Sequence, residues 1–244
     1  MLADGQGTVL HLGERDCSLQ RRYQKMVEEA PGFDLSDGLR QGLHQAAVKL
    51  ALCIDYRSAG TVEFIVDVER QSFYFLEMNT RVQVEHPVTE MITGVDIVAE
   101  QLRIAGGMPL TLRQDDIRFD GHAIECRINA EAPLRGFQPS PGRITAWSVP
   151  EGPGIRVDTH AETGWMVSPY YDSLLAKLIV HGADRADALA RTRDALKRFS
   201  VSGVETTVPF LEYVLSRTDF AAGSINTRWL EVEAEQFIAG AAAQ

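Results

Sequence analysis

Polar and apolar side chains alternate along residues 77–87 (EMNTRVQVEHP). If this stretch is extended, side chains at odd positions share one face of a strand, and those at even positions point to the other face. The shared face would carry five hydrogen-bonding side chains: Glu77, Asn79, Arg81, Gln83 and Glu85. Such a face is either the solvated side of an edge strand or a binding surface.

A further carboxylate, Glu63, lies in the β-rich run 61–66. A second β-rich run follows at residues 73–78. A hairpin centred on Arg70 would place Glu63 directly opposite Glu77, where like charges destabilise a sheet. A divalent cation would remove this conflict, because Mg²⁺ takes one or two carboxylates together with phosphates and water. Asn79 would add a neutral oxygen. The alternative is a slipped register that separates the two acids in solvent.

The residues after Asn79 favour binding of a planar anion. An arginine fork such as that of Arg81 suits a planar anion, Gln83 can donate to its oxygens, and a carboxylate farther along, Glu85, can act as a base. A carboxylate or bicarbonate would match this arrangement. His86, next to this face and before a proline, is predicted to be structural.

Basic residues lie elsewhere in the chain, where they could bind an anion or lie on the surface. Four fall within residues 13–25: Arg15, Arg21, Arg22 and Lys25. A charge run of this kind is more often solvated surface than an anion site. Arg127 shares a strand face with Glu125, either as a surface ion pair or as part of a site.

The composition limits the class of protein. Forty-five per cent of the 244 residues are hydrophobic, enough for a folded core, and 24 lysines and arginines against 34 acidic residues give a net charge of −10. This charge argues against binding to nucleic acid or to anionic membranes.

The chain has no apolar run of membrane-spanning length and no secretory leader. Cys17, Cys53 and Cys126 form no paired motif, which favours a reducing, cytoplasmic location.

The pattern of apolar residues predicts an α+β fold in two domains, 1–112 and 113–244, separated near the polar stretch 109–120. Helices are predicted at residues 39–54 (with Ser36 and Asp37 as caps), 95–105, 183–199 and 209–216. Strands are predicted at residues 8–12, 61–66, 73–78, 121–129, 142–149 and 174–181, and the small-residue tail 239–244 is expected to fray. The sequence has no G-x-x-x-x-G-K-[ST] loop and no G-x-G-x-x-G motif.

Several motifs together resemble the biotin carboxylase component of biotin-dependent carboxylases, in the ATP-grasp superfamily. They are residues 14–18 (ERDCS) with 20–22 (QRR), 60–64 (GTVEF), 77–94, 121–131 (GHAIECRINAE), 139–142 (PSPG) and 169–173 (PYYDS). The resemblance implies the C-terminal portion of an ATP-grasp core followed by the biotin carboxylase C-terminal α+β domain. It also implies a ligase that uses ATP and bicarbonate to form carboxyphosphate, whose CO₂ carboxylates biotin on a carrier protein.

The resemblance also assigns roles to individual residues. Glu63, Glu77 and Asn79 correspond to ligands of the Mg²⁺ or Mn²⁺ ions that bridge the ATP phosphates. Lys25, Arg81, Gln83 and the backbone of Val84 correspond to the bicarbonate site. Glu85 corresponds to the general base, and Arg127 to the residue that stabilises the biotin enolate. Gln20 falls where the family approaches the nucleotide ribose, and Tyr23 stands where many members carry histidine.

The family has roughly two hundred residues ahead of this sequence, including the glycine-rich lid, so the chain is expected to begin within the ATP-grasp domain and to be inactive alone. Its expected partners are the missing N-terminal half, a biotin carboxyl carrier protein or domain, a carboxyltransferase and a second copy in a homodimer. Two alternatives remain: another ATP-grasp carboxylate-amine ligase or carbamoyl-phosphate-type enzyme, and a non-catalytic fragment that binds a full-length carboxylase.

Overall fold

The computed structural model describes residues 1–242, which divide into two compact units. The first unit comprises residues 1–16 and 30–120, and the second comprises residues 17–29 and the chain from residue 121 onward. The helices are α1 (Asp37–Cys53), α2 (His86–Thr93), α3 (Ile97–Ala105), α4 (Arg185–Arg198), α5 (Val208–Ser216), α6 (Thr218–Ala221) and α7 (Trp229–Ala242).

The strands are mostly short. In chain order they are β1 (Leu2–Asp4), β2 (Val9–Leu10), β3 (Asp16–Arg21), β4 (Gln24–Ala30), β5 (Arg57–Ala59), β6 (Thr61–Asp67), β7 (Ser72–Asn79), β8 (His122–Asn129), β9 (Glu131–Ala132), β10 (Gln138–Pro139), β11 (Gly142–Arg143), β12 (Ala146–Ser148), β13 (Ile155–Thr159), β14 (Met166–Val167), β15 (Leu174–Gly182) and β16 (Ser200–Ser202). The α+β fold class is therefore as predicted.

The first unit is built around a three-stranded antiparallel sheet in the order β2-β1-β5. The predicted strand at residues 8–12 is shorter than expected, and its partner is β1. The helix predicted at 39–54 is α1, where the Ser36 side chain accepts a hydrogen bond from the backbone of Leu39 and so caps the first turn. The predicted helix 95–105 is α3, which Asp96 caps in the same way.

The β6–β7 hairpin also belongs to the first unit. Its strands are antiparallel, and Glu63 pairs with Glu77, so the predicted register is confirmed at this point. Beyond Glu63 the pairing shifts to Phe64 with Phe75, which leaves Leu76 as the extra residue of a β-bulge.

The extended conformation predicted for residues 77–87 is wrong beyond Asn79, where β7 ends. Helix α2 begins at His86, and Pro87 lies in its first turn, where a missing N–H costs nothing and the fixed φ suits a helix. The backbone N–H of His86 donates to the carbonyl of Gln83, closing a turn just before the helix. Arg81, Gln83 and Glu85 are therefore positioned by a loop and a helix start, and not by strand alternation.

The second unit contains a five-stranded sheet in the order β13-β15-β8-β4-β3. Strands β3 and β4 are joined at Arg22 and Tyr23, which both have positive φ (49° and 64°), the conformation of tight hairpin turns. Helix α4 packs against β8 and β15, and α5 packs against α4. The core includes the fully buried Ile124, Leu178 and Phe210.

Other predictions for the second unit hold in part. The strands predicted at 121–129 and 174–181 are β8 and β15, and the helices predicted at 183–199 and 209–216 are α4 and α5. The strand predicted at 142–149 is divided into β11 and β12, which pair with β14 and β16 respectively. Helix α7 was not predicted and extends to Ala242, so most of the expected frayed tail is helical. Residues 243 and 244 of that tail lie outside the described part.

The three cysteines, Cys17, Cys53 and Cys126, form no disulfide with one another. Cys126 is fully buried, and burial together with the nearby Glu28 and Glu125 carboxylates raises its thiol pKa well above the ordinary value. Among residues 1–242, we find no helix with both the length and the hydropathy needed to cross a bilayer.

Candidate functional site

Two opposed carboxylates and an amide form the centre of the candidate site in the first unit. The Asn79 side-chain nitrogen donates to Oε1 of Glu77 at 2.8 Å and to Oε1 of Glu63 at 3.3 Å. These hydrogen bonds offset part of the repulsion between the carboxylates. The predicted juxtaposition of Glu63, Glu77 and Asn79 is therefore present.

Arg81 and Gln83 join this centre by hydrogen bonds, although they are not on the strand. Arg81 Nη2 donates to Asn79 Oδ1 at 3.3 Å, and its Nη1 donates to the carbonyl of Val82 at 3.1 Å. Gln83 is buried, and its side-chain nitrogen donates to Glu63 Oε1 at 2.6 Å. Five of the predicted side chains thus form one hydrogen-bonded cluster: Glu63, Glu77, Asn79, Arg81 and Gln83.

Arg15 contacts this cluster through Gln83 and also binds two neighbouring threonines. One guanidinium nitrogen donates to Gln83 Oε1 at 2.7 Å and to Thr61 Oγ1 at 3.0 Å, and the other donates to Thr89 Oγ1 at 3.0 Å. The interpretation of Arg15 as part of a solvated basic run is therefore wrong. Because an arginine presents several donors in a rigid fork, Arg15 fixes the side chain of Gln83 relative to β6 and α2.

We expect Arg15→Met to lower the free energy of unfolding by about 3 kcal/mol, because it leaves the buried Gln83 and Thr89 without their donor. Urea unfolding of the chain measures this difference. The matched control is Arg22→Met, at the exposed β3–β4 turn, which should change stability by less than about 0.5 kcal/mol. Equal stability of the two variants would contradict the role of Arg15.

Val84 and Glu85 occupy the turn that leads into α2. Glu85 is only 2% exposed and is the residue immediately before the helix. His86 Nδ1 lies 2.9 Å from the carbonyl oxygen of Gln83, which agrees with the structural role predicted for it.

The donor set at Glu63, Glu77 and Asn79 fits a hard divalent cation. Among residues 1–242, no group of three or more His, Cys, Asp or Glu side chains is arranged to hold a metal. A cation between the two carboxylates would therefore need further oxygens from water or from a phosphate ligand, which is the usual pattern for Mg²⁺. The Asn79 nitrogen faces the carboxylates, so its amide would have to turn over to offer Oδ1.

The other predicted residues lie in the second unit. Gln20, on β3, donates from its side chain to the carbonyl of Cys17 at 2.8 Å. Tyr23 is 96% exposed at the β3–β4 turn, and Lys25 follows on β4, half-buried.

Arg127 is on β8, and its Nε donates to Glu28 Oε1 at 2.7 Å. Because Glu28 and Glu125 are fully buried, the surface-pair interpretation of Glu125 and Arg127 is wrong.

Arg21 and Arg22, from the predicted basic run, line a cavity of about 390 Å³ in the second unit, together with Tyr171 and Asp172. The Arg21 guanidinium lies 4.0 Å from the centre of the Phe137 ring and donates to the carbonyl of Gly136. Burial and the neighbouring Arg22 lower the pKa of Arg21. The sequence places these arginines in one run, but it did not indicate that a cavity lies beside them.

Comparison with known proteins decides the family. Residues 125–232 match the model of the biotin carboxylase C-terminal domain, and residues 1–113 match that of the carbamoyl-phosphate synthase L chain, ATP binding domain. Biotin carboxylase 1 of Bacillus subtilis is 52% identical over 95% of this chain and 51% of that protein. The chain belongs to the biotin carboxylase family.

Other biotin carboxylases agree with this assignment. The 2-oxoglutarate carboxylase small subunit of Hydrogenobacter thermophilus is 54% identical over 95% of this chain and 49% of that protein. A crystal structure of that organism's biotin carboxylase domain dimer, in complex with MgADP, ADP and bicarbonate, has a TM-score of 0.91 and 54% identity, covering 94% of this chain and 51% of that one. The chain spans about half the length of the curated relatives it matches.

Proposed function

We propose that this chain takes part in the ATP-dependent carboxylation of carrier-bound biotin with bicarbonate, through carboxyphosphate. The observation that carries the proposal is the cluster of Glu63, Glu77, Asn79, Arg81 and Gln83 in a member of this family. Two opposed carboxylates next to an arginine and a buried glutamine suit a cation with its phosphate ligand on one side and a planar anion on the other. The structure of the Hydrogenobacter relative is described as a complex with MgADP, ADP and bicarbonate.

In the proposed reaction, the first unit binds and deprotonates bicarbonate. Arg81 and Gln83 donate hydrogen bonds to the bicarbonate oxygens, with the backbone of Val84 as a further donor. The carboxylate of Glu85 takes the proton of bicarbonate, which then attacks the γ-phosphorus of ATP, so that carboxyphosphate forms and ADP leaves. Glu63, Glu77 and Asn79 would hold Mg²⁺ or Mn²⁺, and the bound ion would neutralise charge on the ATP phosphates.

The second unit contributes the remaining proposed groups. Lys25 adds a positive charge for the bicarbonate, and Arg127 stabilises the enolate that biotin forms when it loses a ureido proton. Gln20 and Tyr23 would contact the nucleotide. We assign these roles from the family motifs, and we propose the functional division into residues 1–112 and 113–244 on the same basis.

We further propose a biotin carboxyl carrier protein or domain, a carboxyltransferase and a second copy of the chain as partners, in the cytoplasm. Two relatives support assembly into multi-subunit carboxylases: the small subunit of 2-oxoglutarate carboxylase, and a solved structure described as the biotin carboxylase subunit of pyruvate carboxylase. The dimer named for the Hydrogenobacter structure supports a homodimer. A match to the biotin carboxylase C-terminal domain favours this function over a carbamoyl-phosphate-type enzyme.

The test is to assay biotin-dependent phosphate release by residues 1–244, alone and mixed with the separately expressed N-terminal half of the Bacillus subtilis relative. We expect undetectable turnover alone, because phosphoryl transfer depends on positioning the β- and γ-phosphates and this sequence has no glycine-rich phosphate loop. Turnover should appear on mixing and should require bicarbonate, Mg²⁺ and biotin. Turnover after mixing that is independent of biotin but requires ammonia would favour the carbamoyl-phosphate alternative.

A further inference from the structure

A buried carboxylate on β4 holds the guanidinium of Arg127. Both Nε and Nη2 of Arg127 contact Oε1 of Glu28, with an Nε distance of 2.7 Å. Two donors on one side of a planar group fix its orientation as well as its position. The edge of the guanidinium that carries Nη1 therefore faces away from Glu28.

Because the Glu28–Arg127 ion pair is buried, its main effect is to orient the guanidinium and not to stabilise the fold. Glu28 is fully buried, and the Arg127 side chain is 17% exposed. Removing two charges from water costs about as much as their attraction returns, so a buried ion pair is weak evidence for stability. Such a pair instead holds the Arg127 side chain in one orientation. Strand β4 lies next to β8 in the sheet, so Glu28 reaches Arg127 from the neighbouring strand. Lys177, opposite Arg127 on β15, pairs with Asp158 at 3.3 Å.

The backbone that carries Arg127 is also fixed. The hydroxyl of the buried Thr207 donates to the carbonyl of Arg127 at 3.1 Å and accepts from the N–H of Asn129 at 3.0 Å. The N–H of Thr207 donates to the carbonyl of Asn129 at 3.0 Å. These bonds lie next to the register shift at Leu175, where the β8–β15 ladder is irregular. Both ends of the Arg127 side chain are thus constrained, as a preorganised binding group requires.

We infer that Glu28 is a positioning residue, which orients the Arg127 guanidinium toward the biotin enolate. This inference rests on the proposed function, because it takes Arg127 as the group that binds biotin. Glu28 itself contacts neither biotin nor bicarbonate in this scheme. Its substitution should therefore slow the biotin step and leave the ATP step with bicarbonate intact.

The adjacent Glu29 provides a matched control. It is also on β4 and only 2% exposed, but it accepts hydrogen bonds from His122 and Arg185 at 2.7 Å each. Burial opposes its ionisation, but His122 and Arg185 outweigh that effect and hold the pKa of Glu29 below its ordinary value. Glu29→Gln thus removes an equally buried, equally paired carboxylate that does not contact Arg127.

The experiment compares Glu28→Gln and Glu29→Gln by two measurements. In the chain mixed with the N-terminal half of the relative, Glu28→Gln should lower biotin-dependent turnover by about 10-fold to 100-fold. Phosphate release driven by bicarbonate without biotin should stay within about twofold. Glu29→Gln should change both activities equally. Because residues that act as a unit are not additive, Glu28→Gln combined with Arg127→Gln should be no slower than Arg127→Gln alone.

The second measurement does not depend on activity. In ¹⁵N-labelled residues 1–244, the Nε–H signal of Arg127, assigned by its loss in Arg127→Gln, should be shifted and protected from solvent exchange. Glu28→Gln should abolish that protection, and Glu29→Gln should not. An unchanged Arg127 signal in Glu28→Gln, or equal losses of both activities in that variant, would overturn the inference. A mixture that never shows biotin-dependent turnover, with the Arg127 signal still sensitive to Glu28, would count instead against the proposed function.

Discussion

Glu77→Gln, in the chain mixed with the N-terminal half of a relative, is expected to abolish ATP-dependent carboxylation of biotin. The substitution removes one of the two opposed carboxylates while leaving the side-chain volume nearly unchanged. A neutral amide is a poor ligand for Mg²⁺ compared with a carboxylate, so the remaining Glu63 would have to hold the cation with less charge. Loss of that charge weakens neutralisation of the transferring phosphoryl group. Phosphate release measured over a Mg²⁺ titration tests this expectation.

The control for Glu77 is Glu69→Gln, because Glu69 is an exposed carboxylate in the loop of the same hairpin. It should retain normal turnover and the same Mg²⁺ dependence. Without the Glu63–Glu77 repulsion, Glu77→Gln should not destabilise the chain, so a folded but inactive protein is the expected product. Normal turnover with normal metal dependence in Glu77→Gln would show that this carboxylate does not bind the cation.

Glu85→Gln is expected to lower the rate of bicarbonate-dependent phosphate release by about 10²–10⁴-fold, the usual contribution of a general acid or base. Gln has nearly the same shape but cannot accept a proton from bicarbonate. Because Glu85 precedes α2 and lies outside the Glu63–Glu77 cluster, the affinity for Mg-ATP should be unchanged. Steady-state kinetics together with calorimetric titration of Mg-ATP separate the rate from the affinity.

A suitable control for Glu85 is Glu90→Gln, on the same helix, where Glu90 Oε1 accepts a hydrogen bond from the N–H of Ile97. This variant should lose stability but little rate per folded molecule. If Glu85→Gln instead lost rate and Mg-ATP affinity in the same proportion, a structural role at the start of α2 would explain the data better than proton transfer.

The Glu63–Glu77 pairing was predictable, but its physical basis was not. Counting outward from Arg70 gives the correct pair, yet Asp67 pairs with Ser72, so the loop is centred between residues 69 and 70. The bulge at Leu76 restores the predicted register at Glu63. A bulge depends on how a strand is strained by its surroundings, and side-chain alternation gives no signal for it.

Other parts of the site depend on contacts between distant residues. A period-two pattern predicted a strand at Arg81, Gln83 and Glu85. Instead, a loop brings Arg81 and Gln83 to the cluster, and Glu85 lies at the start of α2. Arg15 and Gln83 are 68 residues apart, and Glu28 and Arg127 are 99 apart. Composition cannot distinguish such buried partners from surface charges. The roles of Lys25, Gln20 and Arg127 come from family resemblance alone.

The discontinuity of the second unit constrains how the protein can fold and be divided. Its sheet takes β3 and β4 from residues 16–30 and β8 from residues 122–129, about 90 residues later. Pairing across so long an interval makes the sheet slow to form, because the entropy of closing the loop is lost before the contacts are gained. Cutting the chain between the predicted domains would leave three strands and a bare β8 edge, a surface prone to aggregation. A stable excised second unit would therefore need the β3–β4 hairpin reconnected to it, as in a circular permutant.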